Sequence, residues 1–218
     1  FFSSRRRHTR FALVSWARNV YKRQDDLVEI AEYADVPVIN GLTDDAHPCQ
    51  TLADLLTIRE AYGGFDGVEA AWVGDGNNVG QSLVIGAAMV GLDLTVATPD
   101  GYGMDDAVLD QAAEIGHPPT VVDDPAHAVD GADVVYTDVW ISMGQEDRRE
   151  EKLAAFEGYQ VNDDLLSGSE ADVMHCLPAH RGEEITDSVL ESDRALVWDQ
   201  AENRLHAQNG LLVELLGA

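Results

Sequence analysis

The sequence is poor in several residue types, and each shortage argues against a class of protein. It contains 218 residues but only two cysteines, Cys49 and Cys176, which lie far apart and suggest no disulfide framework. This favours a reducing compartment, so we expect a cytoplasmic protein. No apolar run reaches the roughly 18 residues that suggest a membrane span, so we expect no membrane partner.

Positive charge is scarce outside the first 24 residues. Seven of the 14 lysines and arginines lie in residues 1–24, which leaves seven in the rest of the chain against all 40 acidic residues. Such negative charge promotes solubility and opposes compactness through self-repulsion, a balance that halophiles exploit. Because this surface repels phosphates, we predict no nucleic-acid partner. Any anionic substrate must be bound by a few local positive groups.

Residues 1–24 are basic and contain no acidic residue. A basic arm that binds nucleic acid and a targeting peptide are two interpretations of this composition. We favour a third, because the segment resembles a translated cloning adapter, and we predict a non-native junction that takes no part in the fold.

Short apolar runs alternate with helical patterns from residue 25 onward. This alternation predicts an α/β fold with a parallel sheet covered by helices on both faces. We expect strands at 36–41, 68–74, 94–98, 120–124, 133–140, 172–178 and 194–200, and helices at 27–34, 48–63, 78–91, 104–116, 125–132, 148–156 and about 201–216.

The domain organisation is predicted from a linker and from an isolated strand. The glycine-rich "GGFDG" at 63–67 is the best linker candidate, and 36–41 supplies only one strand of a first sheet. We therefore predict the remnant of a first domain at 25–64, a complete second domain at 65–198, and a C-terminal helix at 199–218 that returns toward the first domain.

Polar clusters occur where ligands bind in open α/β sheets, beyond the carboxyl ends of the strands. "DDAHPCQT" (44–51) opens a helix, whose N-terminus suits an anion, and His47 and Gln50 add side-chain donors. An ordinary capped helix start is the alternative. In "YTDVWISMGQE" (136–146), Asp138 ends a strand and could pair with an ammonium group, although such an aspartate is more often a turn former.

The stretch "WVGDGNNVGQS" (72–82) has glycines at 74, 76 and 80. Their spacing is one residue too long for a dinucleotide-binding fingerprint, so an NAD-binding oxidoreductase is only a distant alternative. The amides of Asn77 and Asn78 are more informative, because two amides at a helix start can donate to a carboxylate and accept from an amine.

Cys176 in "MHCLPAHRG" (174–182) could be a metal ligand, a nucleophile or a substrate contact. His175 and Cys176 are adjacent on a strand and should point to opposite faces, which argues against a metal. A nucleophile needs a base, and Pro178 separates the cysteine from His180. In "WDQAENRLHAQNG" (198–210), Arg204 is either a surface ion-pair partner or the cation that an anionic ligand requires.

Five of these segments together resemble the ornithine carbamoyltransferases. "HPCQTLADLLT", "GDGNNV", "SMG", "HCLP" and "AENR" occur in the order and approximate spacing of that family, across residues 25–218. The resemblance implies that one group of residues binds carbamoyl phosphate and another binds L-ornithine. The first group is His47, Pro48, Cys49, Gln50, Cys176, Leu177 and Arg204, and the second is Asn78, Asp138, Ser142 and Met143.

The resemblance also implies a reaction. The side-chain amine of ornithine attacks the carbonyl carbon of carbamoyl phosphate and expels phosphate, with Cys176, Arg204 and His47 as the candidate catalytic residues. This chemistry needs no metal and no organic cofactor. Family members are commonly trimers or larger, so we expect a homotrimer or a higher assembly of the full-length protein.

One departure from the family limits these expectations. The phosphate-binding motif of the Ser-Thr-Arg-Thr-Arg type is absent from the sequence, and 25–64 resembles only the last part of the carbamoyl-phosphate-binding domain. We expect the full gene to encode an active enzyme and this polypeptide alone to be weak or inactive. The alternatives are a putrescine carbamoyltransferase and a non-catalytic amino-acid-binding fragment.

Overall fold

The computed structural model of the chain describes residues 23–141 and 146–217. Five strands follow in the order β1 (Glu69–Val73), β2 (Asp93–Ala97), β3 (Thr120–Val122), β4 (Val134–Thr137) and β5 (Asp172–His175). The helices are α1 (Gln24–Tyr33), α2 (Pro48–Tyr62), α3 (Asn78–Val90), α4 (Asp106–Ile115), α5 (Pro125–Val129), α6 (Arg149–Ala155, after a 3-10 turn at Glu146–Arg148), α7 (Asp187–Leu190) and α8 (Val197–Leu216).

The five strands form one parallel sheet in the order β3-β2-β1-β4-β5. Each crossover between neighbouring strands contains a helix, as parallel pairing requires. The strand order reverses at β1, because β2 and β3 lie on one side of it and β4 and β5 on the other. The predicted α/β class with a parallel sheet is confirmed.

Side chains that alternate along the strands fill two separate cores, one on each face of the sheet. Trp72, Tyr136 and Met174 pack on the face that α2, α3 and α4 cover. Val73 and Val135 pack on the other face, against α5, α7 and the residues that follow α6. Helices therefore cover both faces, as the sequence predicts.

Two predicted strands are wrong. Residues 36–41 run without regular structure, and Val36 is 49% exposed, because the part of the chain that the structure describes contains no strand to pair with this segment. In 194–200, Ala195 makes only one isolated bridge, to Val173, before α8 begins at Val197. The last helix therefore starts earlier than predicted and crosses the predicted boundary between 198 and 199. The domain boundaries remain a prediction.

Helices α2 and α8 pack directly against each other. The side-chain amide of Asn203 on α8 donates to Thr57 Oγ1 at 3.0 Å and to Glu60 Oε2 at 2.9 Å, both on α2. This contact places the N-terminal half of α8 beside α2.

Over residues 23–141 and 146–217, none of the helices combines the length and the apolar character that crossing a bilayer requires.

Helices α2 and α3 approach closely at Gly86. A Cβ atom at Gly86 would lie 2.3 Å from Cγ2 of Thr51 and 3.2 Å from Cδ1 of Leu55. Real Cβ atoms do not approach a carbon so closely, so the α2–α3 distance depends on the missing side chain. This packing fixes α2, and with it the polar residues at its N-terminus, against the sheet.

We predict opposite effects from alanine at two helical glycines. Gly86→Ala should lower the free energy of unfolding by about 1–2 kcal/mol, because overpacking outweighs the gain in helix propensity. Gly210→Ala, in the interior of α8 with no atom near its Cβ position, should raise it by roughly 0.5–1 kcal/mol. Urea unfolding measures both, and a stabilised Gly86→Ala variant would contradict the packing argument.

Candidate active site

The strand order reverses at the carboxyl ends of β1 and β4, where the loops that follow the two strands diverge. This is the position at which open parallel sheets bind ligands. Asn77 follows β1 and Asp138 follows β4, and Asn77 Nδ2 donates to Asp138 Oδ2 at 2.8 Å. Asp138 is buried. The sheet thus joins an amide and a carboxylate that are 61 residues apart in the sequence.

The first helical turn of α3 determines how Asn77 is oriented. Its Oδ1 caps the helix by accepting from the backbone amides of Val79 at 3.0 Å and Gly80 at 3.1 Å. The NH₂ group therefore faces Asp138. The neighbouring Asn78 donates instead to the backbone carbonyl of Thr43 at 2.7 Å, in the loop that leads to α2. The predicted ornithine ligand Asn78 thus connects the N-terminus of α3 to the loop that leads to α2.

A buried ion pair connects the loop that follows β1 to the loop that follows β4. Lys152 on α6 donates through Nζ to Asp75 after β1, and to the backbone carbonyl of Trp140 after β4 at 2.7 Å. Lys152 and Asp75 are both buried. Nζ therefore holds the two loops at a fixed separation. The predicted ligands Ser142 and Met143 lie outside the described residues.

Cys176 follows β5 and its thiol donates to Asp138 Oδ1 at 2.9 Å. Burial and the neighbouring carboxylate of Asp138 raise the pKa of this thiol well above its ordinary value. A thiol held in its protonated form is a poor nucleophile, since only the thiolate attacks. The geometry agrees with a contact role for Cys176 and disfavours covalent catalysis.

Asp138, His175 and Cys176 have potential metal-ligand atoms within 4.8 Å of one another. The prediction that adjacent strand residues keep such atoms apart is therefore wrong, because β5 ends at His175 and the chain turns there. Both ring nitrogens of His175 are engaged, Nδ1 with the amide of Leu177 at 2.9 Å and Nε2 with Glu184 at 3.0 Å. A metal could bind His175 only by displacing one of these partners, so the donor set fits a metal poorly.

Leu177 has an unusual backbone conformation next to the candidate site. Its φ of 54° lies in the left-handed region, and the peptide bond to Pro178 is cis. For a residue with a Cβ atom, the left-handed conformation costs roughly 1–2 kcal/mol. The surrounding structure must supply interactions that hold Leu177 in this state.

The predicted anion-binding side is formed by His47 at the start of α2 and Arg204 on α8. Arg204 NH1 donates to Gln50 Oε1 and lies 3.5 Å from His47 Nε2. Burial, followed by the charge of Arg204, lowers the pKa of His47 to about 4, so the imidazole is neutral at pH 7. Arg204 Nε is buried without a hydrogen-bond partner in the described part of the chain, whereas the His47 imidazole interacts with the backbone of Gly41. An unsatisfied group such as Arg204 Nε is available to a ligand.

Two other residues at the start of α2 were predicted to bind the same anion. Pro48 occupies the first helical turn, where its missing N–H costs nothing. The Cys49 thiol is buried and donates to the backbone carbonyl of Asn40 at 3.4 Å, and burial raises its pKa. The Cys49 side chain is therefore directed at its own loop. The predicted ligand roles of both residues remain predictions.

Asp54 on α2 links the two sides, and we call Asp54, Gln50, Gln200, Tyr136 and Arg204 the Asp54 network. Asp54 Oδ1 accepts from Gln50 Nε2 at 2.8 Å and from Gln200 Nε2 at 2.7 Å, and Oδ2 accepts from the Tyr136 hydroxyl at 3.1 Å. Because Asp54 Oδ1 accepts from both glutamines, each of them turns its NH₂ group inward and its carbonyl outward. One carbonyl meets Arg204, and the other accepts from the backbone amide of His175 at 2.9 Å.

The Asp54 carboxyl is fully buried, and this burial raises its pKa to about 7 although its three donors favour the charged form. An aspartate in an unfolded chain titrates near about 3.9. Between these values the folded protein retains a proton that the unfolded chain releases. The contribution of Asp54 to stability is therefore greatest below about pH 4 and is lost as the pH rises toward 7.

We predict that Asp54→Asn removes this pH dependence, because an amide cannot ionise. The free energy of unfolding of the wild type, minus that of the variant, should fall by roughly 1–4 kcal/mol between pH 4 and pH 8. Chemical denaturation across this range measures the difference. The exposed Asp110→Asn serves as the control, and an equal profile for Asp54→Asn and its parent would refute the assignment.

The structure brings most of the predicted site residues into one connected region. Arg204, His47 and Gln50 form one side, Asp138 and Cys176 the other, and Asn78 bridges the two through the loop before α2. The sequence patterns did not identify Asp54, Tyr136 and Gln200, which connect the two sides of the site. They also did not identify Glu184, which contacts His175. Asp54 lies four residues after Gln50 on the same helix, which was the only indication of its role in the sequence.

The glycines that resembled a dinucleotide fingerprint serve the packing of the chain itself. A Cβ atom at Gly76 would lie 2.3 Å from the backbone oxygen of Gly103, and the Gly76 amide donates to the carbonyl of Tyr102 at 2.8 Å. The backbone of a neighbouring loop thus occupies the space that a pyrophosphate would need.

The fold and these residues define a carbamoyltransferase domain. Residues 66–215 match the family model described as aspartate/ornithine carbamoyltransferase, Asp/Orn binding domain, and residues 9–60 match the carbamoyl-P binding domain of the same family. The chain belongs to the aspartate/ornithine carbamoyltransferase family. The second match begins within residues 1–24, so the assignment of that segment as a junction remains a prediction.

Individual relatives are ornithine carbamoyltransferases. The enzyme of Haloquadratum walsbyi is 78% identical over 192 residues, which cover 88% of this chain and 64% of the relative. The enzyme of Methanoculleus marisnigri is 54% identical over 190 residues, covering 86% of this chain and 62% of the relative. The chain therefore spans less than two thirds of the length of these relatives.

Solved structures give the same result. The ornithine carbamoyltransferase from Pyrococcus furiosus superposes with a TM-score of 0.84 at 52% identity, covering 89% of this chain and 64% of that chain. The enzyme from Thermus thermophilus superposes with a TM-score of 0.80 at 46% identity, again over 89% of this chain and 64% of that chain. The resemblance inferred from five sequence motifs is confirmed at the level of the family.

Proposed function

We propose that the protein is an ornithine carbamoyltransferase that forms L-citrulline and phosphate from L-ornithine and carbamoyl phosphate. The observation that carries this proposal is the connection between an anion-binding pair, His47 and Arg204, and a buried carboxylate, Asp138, through shared hydrogen-bonded neighbours. An acyl phosphate needs the first, and an amino acid needs the second. Because the chain covers 64% of its relative from Haloquadratum walsbyi, the activity is a proposal for the whole protein.

On the ornithine side, Asp138 pairs with the α-ammonium group. It already accepts from Asn77 and Cys176, and a ligand ammonium would replace or supplement the thiol contact. Asn78 and the backbone amide of Met143 hold the α-carboxylate in this proposal, with Ser142 beside them. A charge-assisted contact of this type contributes roughly 1.5–3 kcal/mol.

On the carbamoyl phosphate side, Arg204 and His47 are the candidate donors to the carbonyl oxygen. The unsatisfied Nε atom of Arg204 supports this role, and the neutral state of His47 at pH 7 leaves the imidazole one N–H to donate. Gln50 holds the guanidinium in place, and Pro48 and Cys49 begin the helix whose N-terminus faces the anion. Donors fixed in advance stabilise charge that develops in the transition state.

The reaction transfers one carbamoyl group between two bound reactants. The side-chain amine loses a proton and its lone pair forms a C–N bond to the carbonyl carbon. The bond from that carbon to the bridging phosphate oxygen then breaks, and phosphate leaves with its electron pair. Cys176 and Leu177 lie between the two substrates in this arrangement. Holding both reactants together supplies much of the acceleration.

Asp138 distinguishes ornithine from putrescine. Putrescine lacks the α-amino and α-carboxylate groups, so a putrescine enzyme would have no use for a buried carboxylate at this position. The fixed orientation of Asn77 toward Asp138 supports a site built around that charge. Putrescine carbamoyltransferase is therefore the second candidate, and a non-catalytic ornithine-binding fragment is the third.

We predict that Asp138→Asn impairs the use of ornithine. Its KM for ornithine should rise by about 10- to 100-fold, as expected for the loss of one charge-assisted contact, while the KM for carbamoyl phosphate changes less. Steady-state citrulline formation, with each substrate varied in turn, measures both constants.

The exposed Asp110→Asn substitution is the matched control and should leave both constants unchanged. Faster turnover of putrescine than of ornithine by the parent protein would favour the second candidate. Ornithine binding by calorimetry without citrulline formation would favour the third. If neither ornithine nor putrescine binds in the presence of carbamoyl phosphate, the proposal is wrong.

We also propose that the protein is cytoplasmic and that its full-length form assembles as a homotrimer or larger. The small number of cysteines supports the first statement and the family resemblance the second. Sedimentation equilibrium tests the assembly, and a monomer at micromolar concentration would contradict it.

A further inference from the structure

His175 and Glu184 form a fully buried pair to which the reaction assigns no role. Both residues have 0% exposed surface, and His175 Nε2 lies 3.0 Å from Glu184 Oε1. No motif in the sequence indicated a function for His175. Burying an acid and an imidazole costs desolvation free energy, so the presence of this pair in the core needs a physical explanation.

The hydrogen bonds around the pair allow only one tautomer of His175. Glu184 Oε1 also accepts from the backbone amide of His180, and Nδ1 of His175 carries no proton because the Leu177 amide donates to it. His175 must therefore carry its proton on Nε2. The lone pair on Nδ1 is then free to accept, and it accepts from the backbone amide of Leu177 at 2.9 Å.

Leu177 is the residue with the left-handed backbone, at a φ of 54°. Its amide N–H points back to the imidazole two residues earlier in the chain, so this contact fixes the peptide group between Cys176 and Leu177. The imidazole is itself fixed from behind, because the His175 backbone amide donates to Gln200 Oε1 of the Asp54 network. Glu184 is fixed as well, since its carbonyl accepts from Val161 N at 2.8 Å.

We propose that His175 and Glu184 are positioning residues for the active-site backbone. Glu184 selects the Nε2–H tautomer of His175, and Nδ1 of His175 holds the peptide group between Cys176 and Leu177 in place. The same logic operates where a carboxylate orients a histidine by bonding to one ring nitrogen so that the other is available. The consequence for the reaction rests on the proposed function, in which Leu177 lies between the two substrates.

Two substitutions of His175 separate this role from simple core packing. In His175→Asn, the side-chain oxygen takes the position of Nδ1 and can still accept from the Leu177 amide, while the contact with Glu184 is lost. In His175→Gln, the side-chain NH₂ reaches the position of Nε2 and can still donate to Glu184, while the acceptor for Leu177 is lost. His175→Asn removes more volume than His175→Gln by one methylene group, so a pure packing role would predict the larger disturbance in His175→Asn.

The first measurement is hydrogen exchange of the Leu177 amide in the 218-residue chain. We expect His175→Gln to accelerate this exchange by about tenfold or more, and His175→Asn to change it much less, after correction for the free energy of unfolding of each variant. The amide of Val173, which donates to the carbonyl of Arg194, reports whether β5 itself has loosened. The exposed His206→Gln is the control and should change neither amide.

The second measurement is the ¹⁵N spectrum of histidine-labelled parent protein, which should report a neutral His175 with its proton on Nε2. In the citrulline assay, kcat of His175→Gln should fall at least about tenfold below that of His175→Asn, with smaller changes in both KM values.

Equal exchange at Leu177 in the two variants, or a proton on Nδ1 of His175, would overturn the proposal. Neither readout requires a substrate, so both remain decisive if the proposed function fails. Normal exchange and tautomer results with equal kcat values in the two variants would overturn only the link to catalysis.

Discussion

Asp54 accepts hydrogen bonds from two glutamines and a tyrosine that belong to three different elements, α2, α8 and β4. Because Asp54 Oδ1 accepts from both glutamine NH₂ groups, each amide has a single orientation, which presents one carbonyl to Arg204 and the other to the amide of His175. The position of Arg204 and the end of β5 therefore depend on the same buried group. Removing an acceptor from such a network costs more than its individual bonds suggest.

The scarcity of positive charge explains why such a network is needed. Only seven basic residues stand against 40 acidic ones beyond residue 24, so general electrostatic attraction cannot bring an anionic substrate to the site. A single arginine, held by Gln50 beside a neutral His47, supplies the positive charge among the described residues of the site. Lys152 has a different task, because it holds Asp75 and the carbonyl of Trp140 on two neighbouring loops.

Much of the fold was predictable from local patterns, because local chemistry determines them. Gly63 and Gly91 both end helices in the left-handed conformation, and the alternation of apolar runs identified all five strands of the sheet. The segment 36–41 was mispredicted because an apolar run becomes a strand only where a partner exists. Likewise, the tautomer of His175 and the role of Asp54 arise from contacts between residues far apart in the sequence, which no local pattern encodes.

The central claim is that Asp54 couples the anion-binding side of the site to the end of β4. A double-mutant cycle on the free energy of unfolding, with Gln50→Leu and Tyr136→Phe, tests it directly, since both side chains donate to Asp54. The account predicts a coupling of about 0.5–3 kcal/mol that disappears when the cycle is repeated in an Asp54→Leu background. Additive effects in the parent background, or equal coupling in both backgrounds, would contradict it.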